Sequence, residues 1–306
     1  SATADYAPSL RSPWRAALDV LLPHLDDEVA LILRSTVVPG STEFLDRHLR
    51  KRGKTVHLAF CPERVVQGQA VEEIQTLAQI VSGMTPDAVK RAREIFEKVA
   101  PEIVEMSPKE AEYAKLICNA YRYIQFAATN QLYMVVESAG LDYNRLLDKV
   151  KQGYPRMGGI PRAGFVAGPC LMKDTMQLFA SEKHNFILGQ VAMTINEGLP
   201  DYLVSKLMQK IKISGRKVGI LGMAFKAESD DIRDSLSYKL KKILEFQGAE
   251  VCCSDEYVRD DTFVTKEELL RRSEVVIVAV PHSAYRALRF EPQQIVVDMW
   301  GILNPA

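Results

Sequence analysis

The chain has 306 residues, 47% hydrophobic and 25% charged, and its 39 basic and 39 acidic side chains cancel. That length suggests two or three domains with sizeable cores, and zero net charge does not point to nucleic acid or an anionic membrane, where a basic patch would be expected. No apolar run approaches the roughly 20 residues that span a bilayer, the opening Ser-Ala-Thr-Ala-Asp lacks a secretory layout, and five cysteines, an odd number, fit reduced thiols in a cytoplasmic protein.

The apolar run Val29–Leu33 predicts a buried strand, ended by Pro39-Gly40. A polar helix from Ser41 to about Arg52 and a second strand, Thr55 to Phe60, complete a βαβ rhythm that leads into Cys61-Pro62-Glu63. No strand followed by a Gly-x-Gly-x-x-Gly turn stands ahead of this unit. Ser107-Pro108-Lys109-Glu110 is a capping box with proline at the first helical position, and the helix it opens should run to Ala139, with Gly140 as its stop. Its broad apolar face predicts packing against several neighbours or a second subunit. Helical patterns at Asp142–Lys151 and Thr175–Gln190 flank a Gly/Pro-rich loop, residues 153–169. Residues 200–213 read as a connector. Strands at Lys217–Leu221, Glu250–Cys253, Glu274–Val280 and Ile295–Met299 follow, with helices at Ser235–Gln247 and after Thr265 between them. The fold class is therefore α/β: a partial Rossmann-like unit over 1–105, a central long-helix domain over 106–212, and a Rossmann-like parallel-sheet domain over 213–306.

The segment GFVAGPCLMKDT, residues 164–175, brings Cys170 on a glycine-rich loop to the start of a helix. A helix N-terminus and a nearby cation, Lys173, both favour thiolate over thiol, and Asp174 can orient a water or take a proton. The plainer alternative is a buried cysteine acting as a small hydrophobe. Lys115 and Asn119 share one helix face and suit an oxyanion, or simply a solvated face. Glu63 follows the end of a strand, where open α/β sheets place ligand groups, or it is a surface carboxylate. Thr36 closes the preceding strand. Lys226 and Arg233, on the turn GMAFKAESDDIRDS (222–235), are two cations that suit a diphosphate. The five histidines show no metal-ligand spacing, and no metal site is read.

Taken in order, STVVPG (35–40), CPERVVQG (61–68), AKLICNAYR (114–122), GPCLMKD (168–174), FKAESDDIRDS (225–235) and VVDMWG (296–301) resemble the UDP-glucose/GDP-mannose dehydrogenase family of nucleotide-sugar 6-dehydrogenases. CPERV is nearer the UDP-N-acetylhexosamine branch than the UDP-glucose branch. The resemblance implies an oxidoreductase that uses two NAD per turnover to convert the C6 alcohol of a UDP-sugar to a uronic acid for polysaccharide biosynthesis. It implies that Cys170 forms a thiohemiacetal and then a thioester, that Lys115 and Asn119 stabilise the oxyanion, that Asp174 positions water and that Glu63 assists hydrolysis. Thr36, Lys173 and Arg233 become contacts on the NAD side. Phe225 and Lys226 become contacts to the nucleotide sugar, with Gly164 and Gly168 in the wrapping loop and Arg156 reaching a neighbouring subunit. A homodimer through the long helix is implied as well.

The family's glycine turn is not in this sequence, so NAD binding is expected only with a complete N-terminal domain, as in a piece of a longer enzyme. The alternative is a shortened, non-catalytic nucleotide-sugar-binding or scaffold homologue. Gln67 and Gln131 stand where many relatives are acidic, Tyr123 where aspartate is frequent, and Ala167 in the glycine loop.

Overall fold

The computed structural model describes residues 17–303 apart from Asp19 and Ala167, so the Ala167 position in the glycine loop lies outside the described residues. The chain divides into two compact units, residues up to Leu116 and residues from Ile117 onward.

In the first unit, β1 (Ala30–Leu33), β2 (His57–Phe60), β3 (Gln79–Gly83) and β4 (Ile103–Glu105) form one sheet in chain order. The β1–β2 and β3–β4 pairs are parallel, while β2 and β3 run antiparallel. β3, β4 and the helix α3 (Pro86–Phe96) are additions to the sequence expectation. α3 opens as physics requires, with the Thr85 hydroxyl accepting from the Ala88 amide and proline in the first turn. α1 (Ser41–Arg50) turns Leu45 and Leu49 onto Leu33, Leu58 and Phe60, and a short helix, α2 (Ala70–Thr76), buries nothing.

The long helix α4 (Pro108–Ser138) has 31 residues and runs from the first unit into the second. Its predicted capping box is present: the Glu110 carboxylate accepts the Ser107 amide at 2.8 Å and the Ser107 hydroxyl at 2.6 Å. α5 (Tyr143–Lys151) is capped by Asp142, whose carboxylate accepts from Arg145 N at 3.0 Å. After the glycine loop come α6 (Leu171–Glu182) and α7 (Ile187–Met208). The expected connector at 200–213 is thus mostly helix. α7 continues through Pro200 because Leu199, Leu203, Val204 and Leu207 bury one face, which outweighs the hydrogen bond that proline cannot make.

The second sheet has β5 (Lys217–Leu221), β6 (Glu250–Ser254), β7 (Val275–Val278) and β8 (Ile295–Val297), all parallel, in the order β6-β5-β7-β8. α8 (Leu236–Phe246) and α9 (Lys266–Arg272) are the crossovers. β7 is buried along its whole length, as a strand covered on both faces must be. The strand order reverses between β5 and β7, so the loops after these strands flank the crevice where open α/β sheets take ligands. Among the described residues, no helix is long and apolar enough to cross a membrane.

Candidate functional site

Within the second unit, the glycine loop is fastened before it reaches the cysteine. The Asn130 side chain on α4 accepts from Gly164 N at 2.9 Å and donates to Gly164 O at 3.1 Å. Asn196 on α7 in turn accepts from Asn130 at 2.9 Å and donates to Tyr123 O at 3.2 Å. Asn130 and Asn196 are fully buried, so these bonds replace water that cannot enter. The Trp300 ring closes over Gly164, leaving no room for a Cβ there. Four residues on, Gly168 has φ +99°, and a Cβ on it would stand 2.5 Å from the Phe225 ring. Glycine is required here for both its backbone and its bareness.

Cys170 follows as an exposed free cysteine. Its carbonyl accepts from Asp174 N at 2.9 Å, which makes it the residue that opens α6. Asp174, one turn later, is only 1% exposed. Its Oδ2 accepts from Asn119 Nδ2 at 2.5 Å, and Lys173 Nζ stands 3.3 Å from Oδ1. The ammonium is not in hydrogen-bonding orientation, and Oδ1 has no hydrogen-bond partner. A buried carboxylate oxygen left without a donor is costly unless another group supplies one. Arg233 completes the cluster. Asp231 holds its guanidinium above the usual arginine value, and the Cys170 sulfur adds to that field.

Phe225 and Lys226 lie on the turn after β5, with the ammonium 6.0 Å from the Phe225 ring centroid. The second unit thus gathers Cys170, Lys173, Asp174, Asn119, Arg233, Phe225 and Gly168. Arg156 sits exposed on the short turn Pro155–Met157, away from the start of α6 in sequence. Lys115 is half-buried, one turn before Asn119 on α4. Tyr123 is sealed in an apolar cluster with Ala127, Val166 and Ala192.

The first unit carries Thr36 and Glu63 on the loops after β1 and β2. Glu63 is engaged by Arg34, and its Oε1 accepts the amides of Arg64 at 2.8 Å and Val65 at 3.0 Å. Burial, the largest single influence, raises its pKa, but the Val65 amide and Arg34 together outweigh it and hold the carboxylate below its usual range. Such a carboxylate orients donors well and takes up a proton poorly.

The amides at the start of α1 are also spoken for. Glu112, buried at 1% exposure, accepts from Gly40 N at 2.5 Å, Thr42 N at 2.7 Å and Thr42 Oγ1 at 2.6 Å. For a dinucleotide, this unit therefore offers parallel strand ends and the half-buried Thr36, while the sequence holds no Gly-x-Gly turn to cradle a pyrophosphate.

Sequence reasoning did not single out Arg34, Glu112, Asn130 or His282. For Asn130 a signal existed: it stands eleven residues, close to three helical turns, after Asn119 and so shares its face. Among the described residues, no group of three or more His, Cys, Asp or Glu is placed to hold a metal ion.

Three family models match successive stretches of the chain: the UDP-glucose/GDP-mannose dehydrogenase NAD binding domain over 4–100, the central domain over 109–197, and the UDP binding domain over 219–305. UDP-N-acetyl-D-mannosamine dehydrogenase of Methanocaldococcus jannaschii is 28% identical over 300 residues, covering 94% of this chain and 70% of that protein. The solved structure of UDP-D-ManNAc dehydrogenase from Pyrococcus horikoshii superposes with a TM-score of 0.88 at 25% identity, over 97% of this chain and 74% of that one. A UDP-glucose dehydrogenase from Pyrobaculum islandicum gives a TM-score of 0.83 at 25% identity, over 94% and 72% respectively. The cysteine cluster, the doubly wound C-terminal sheet and these matches lead to one assignment: the chain belongs to the UDP-glucose/GDP-mannose dehydrogenase family of NAD-dependent sugar dehydrogenases, with its NAD-binding, central and UDP-binding domains in that order.

Proposed function

We propose that this protein oxidises the C6 alcohol of a UDP-N-acetylhexosamine to the uronic acid through a covalent adduct on Cys170. The observation that carries the reading is the exposed Cys170 thiol, one helical turn from a buried Asp174 whose Oδ1 lacks a hydrogen-bond partner. NAD, when bound, supplies the hydride acceptor for both oxidations. The chain's own residues do the rest. The Cys170 sulfur adds to the C6 aldehyde, which keeps the intermediate from diffusing away and leaves a thiohemiacetal. Its oxidation gives a thioester, an acyl group that water cleaves readily.

Asn119 uses one amide proton on Asp174 and keeps the second for the adduct oxygen, with Lys115 as the partner cation. Asp174 Oδ1 is the acceptor that fits the hydrolytic water. Glu63, pinned by Arg34, fits an orienting role better than proton uptake. Thr36, Lys173 and Arg233 are assigned to the cofactor side, Phe225, Lys226, Gly164 and Gly168 to the nucleotide sugar, and Arg156 to a neighbouring subunit. The preference for N-acetylhexosamine rests on CPERV and on the relatives' names.

A homodimer is proposed through α4, where Ile117, Tyr121, Leu132 and Val135 form one exposed apolar stripe, with Ile117 53% and Tyr121 62% exposed. The five free cysteines fit the cytoplasm, and the uronic acid fits polysaccharide assembly. A division at 105/106 and 212/213 remains our proposal for the domains.

The test follows NADH formation from UDP-N-acetylmannosamine and NAD, alongside calorimetric binding of the nucleotide sugar. Turnover that Cys170→Ser reduces at least about a thousandfold supports the reading. Tight UDP-sugar binding with no NADH formed would favour the binding-only homologue instead.

A further inference from the structure

The turn after β5 is held from below by residues that the reaction does not touch. His282, just beyond β7, is completely buried, and so is the Asp255 side chain just beyond β6. Asp255 Oδ2 accepts from Met223 N at 2.6 Å and Ala224 N at 3.0 Å, and lies 3.3 Å from His282 Nε2. Asp255 Oδ1 accepts from Tyr257 N at 2.8 Å and Val258 N at 2.9 Å. At the other edge of the ring, His282 Nδ1 stands 3.1 Å from Glu228 N.

A backbone amide can only donate, so Nδ1 carries the lone pair. The proton then sits on Nε2 and faces Asp255, which fixes one neutral tautomer from the network. Glu228 needs this hold. Its φ of +54° is a conformation that side chains other than glycine rarely adopt. Its carboxylate is clasped as well, accepting from Ser283 N at 2.7 Å and from the Tyr257 hydroxyl.

These bonds fix the turn at residues 223, 224 and 228, on either side of Phe225 and Lys226. Phe225 is the residue whose ring fills the space over Gly168, two positions before the cysteine. We propose that His282 and Asp255 are positioning residues for the nucleotide sugar, with His282 Nδ1 as the acceptor that fixes the Glu228 amide and so sets Phe225–Lys226 against the cysteine loop. The proposal rests on the nucleotide-sugar reading and adds a named support beneath it. The lowered pKa of Asp255 agrees: burial, the largest single influence, would raise it, but His282 and the three amides of Val258, Met223 and Ala224 together outweigh it.

The experiment is calorimetric titration of UDP into the 306-residue protein and into His282→Asn and His282→Gln, with thermal unfolding measured for each. Asparagine places its amide oxygen where Nδ1 was, whereas glutamine reaches towards Asp255 and leaves the Glu228 amide without its acceptor. Loss of a buried hydrogen-bond partner predicts UDP binding about tenfold weaker for His282→Gln and within about threefold of the parent for His282→Asn. Equal weakening in both would overturn the acceptor role, because a core-filling histidine predicts no such asymmetry. Parental affinity in both would overturn the proposal altogether.

If the glutamine variant does not fold, Glu228→Ala leaves the buried ring in place and removes the exposed clasp. The expected result is then UDP binding about threefold weaker or worse, and unchanged affinity would contradict the proposal. A parent protein that binds no UDP would overturn the nucleotide-sugar reading itself, and this inference with it.

Discussion

The proposed chemistry is concentrated at the point where a bare backbone delivers a thiol. Gly168 is left-handed and lies under Phe225, so Gly168→Ala meets two objections at once: a backbone cost of about 1–2 kcal/mol and a clash with a ring that has its own place in the sheet crevice. The expected outcome is a lower unfolding midpoint together with a raised KM for the UDP-sugar, read by calorimetry and initial rates. A drop in midpoint without any change in KM would show that the loop's position is irrelevant to substrate. Glu63 makes a second point at this scale. Its position at a strand end was visible in the sequence, but its partner Arg34 and the loop amides were not, and they decide what a carboxylate there can do.

Elements set those residues by long-range polar ties. Asn130 bridges α4 to the glycine loop across 34 residues, with both Gly164 backbone groups as its partners. Asn130→Ala strands two buried backbone groups and should cost about 2–4 kcal/mol in urea unfolding. Asp255 makes a pH-dependent contribution whose sign follows from its lowered pKa. Stability from the ionised, bonded carboxylate is complete above the ordinary value of about 4 and is lost as pH falls through the lower folded value. Asp255→Asn loses hydrogen bonds to an ionised acceptor and should therefore unfold about 3 kcal/mol more easily at neutral pH, and its stability should decline less than the parent's below about pH 4.

Elements that local pattern specifies were legible: the capping box at Ser107, the stop before Gly140 and the mainly parallel character of the second sheet. The helix after Thr85-Pro86 carried a similar opening signal to the one at Ser107-Pro108, whereas β3 beside it sets Ile80 and Val81 between Gln79 and Ser82-Gly83 and so lacks the longer apolar run that marks β1. The antiparallel β2–β3 pair and the passage of α7 through Pro200 depend on packing, which spacing does not encode. The same holds for the Asp255–His282–Glu228 chain, whose members lie up to 54 residues apart.

At the scale of the molecule, the exposed apolar stripe on α4 is the basis of the dimer proposal. A Tyr121→Glu, Leu132→Glu double variant should be monomeric by light scattering while the parent is a dimer, and a parent monomer would remove the dimer proposal. The central claim is narrower: Cys170 is the sulfur that meets the sugar. Cys118, also exposed, provides an internal reference in the same protein. The direct measurement is the rate of iodoacetamide labelling at each cysteine, by peptide mass spectrometry, with and without UDP-N-acetylmannosamine. At a ligand concentration ten times its dissociation constant, the account predicts labelling of Cys170 slowed about tenfold and Cys118 unaffected. Equal labelling of Cys170 with and without saturating ligand would contradict it.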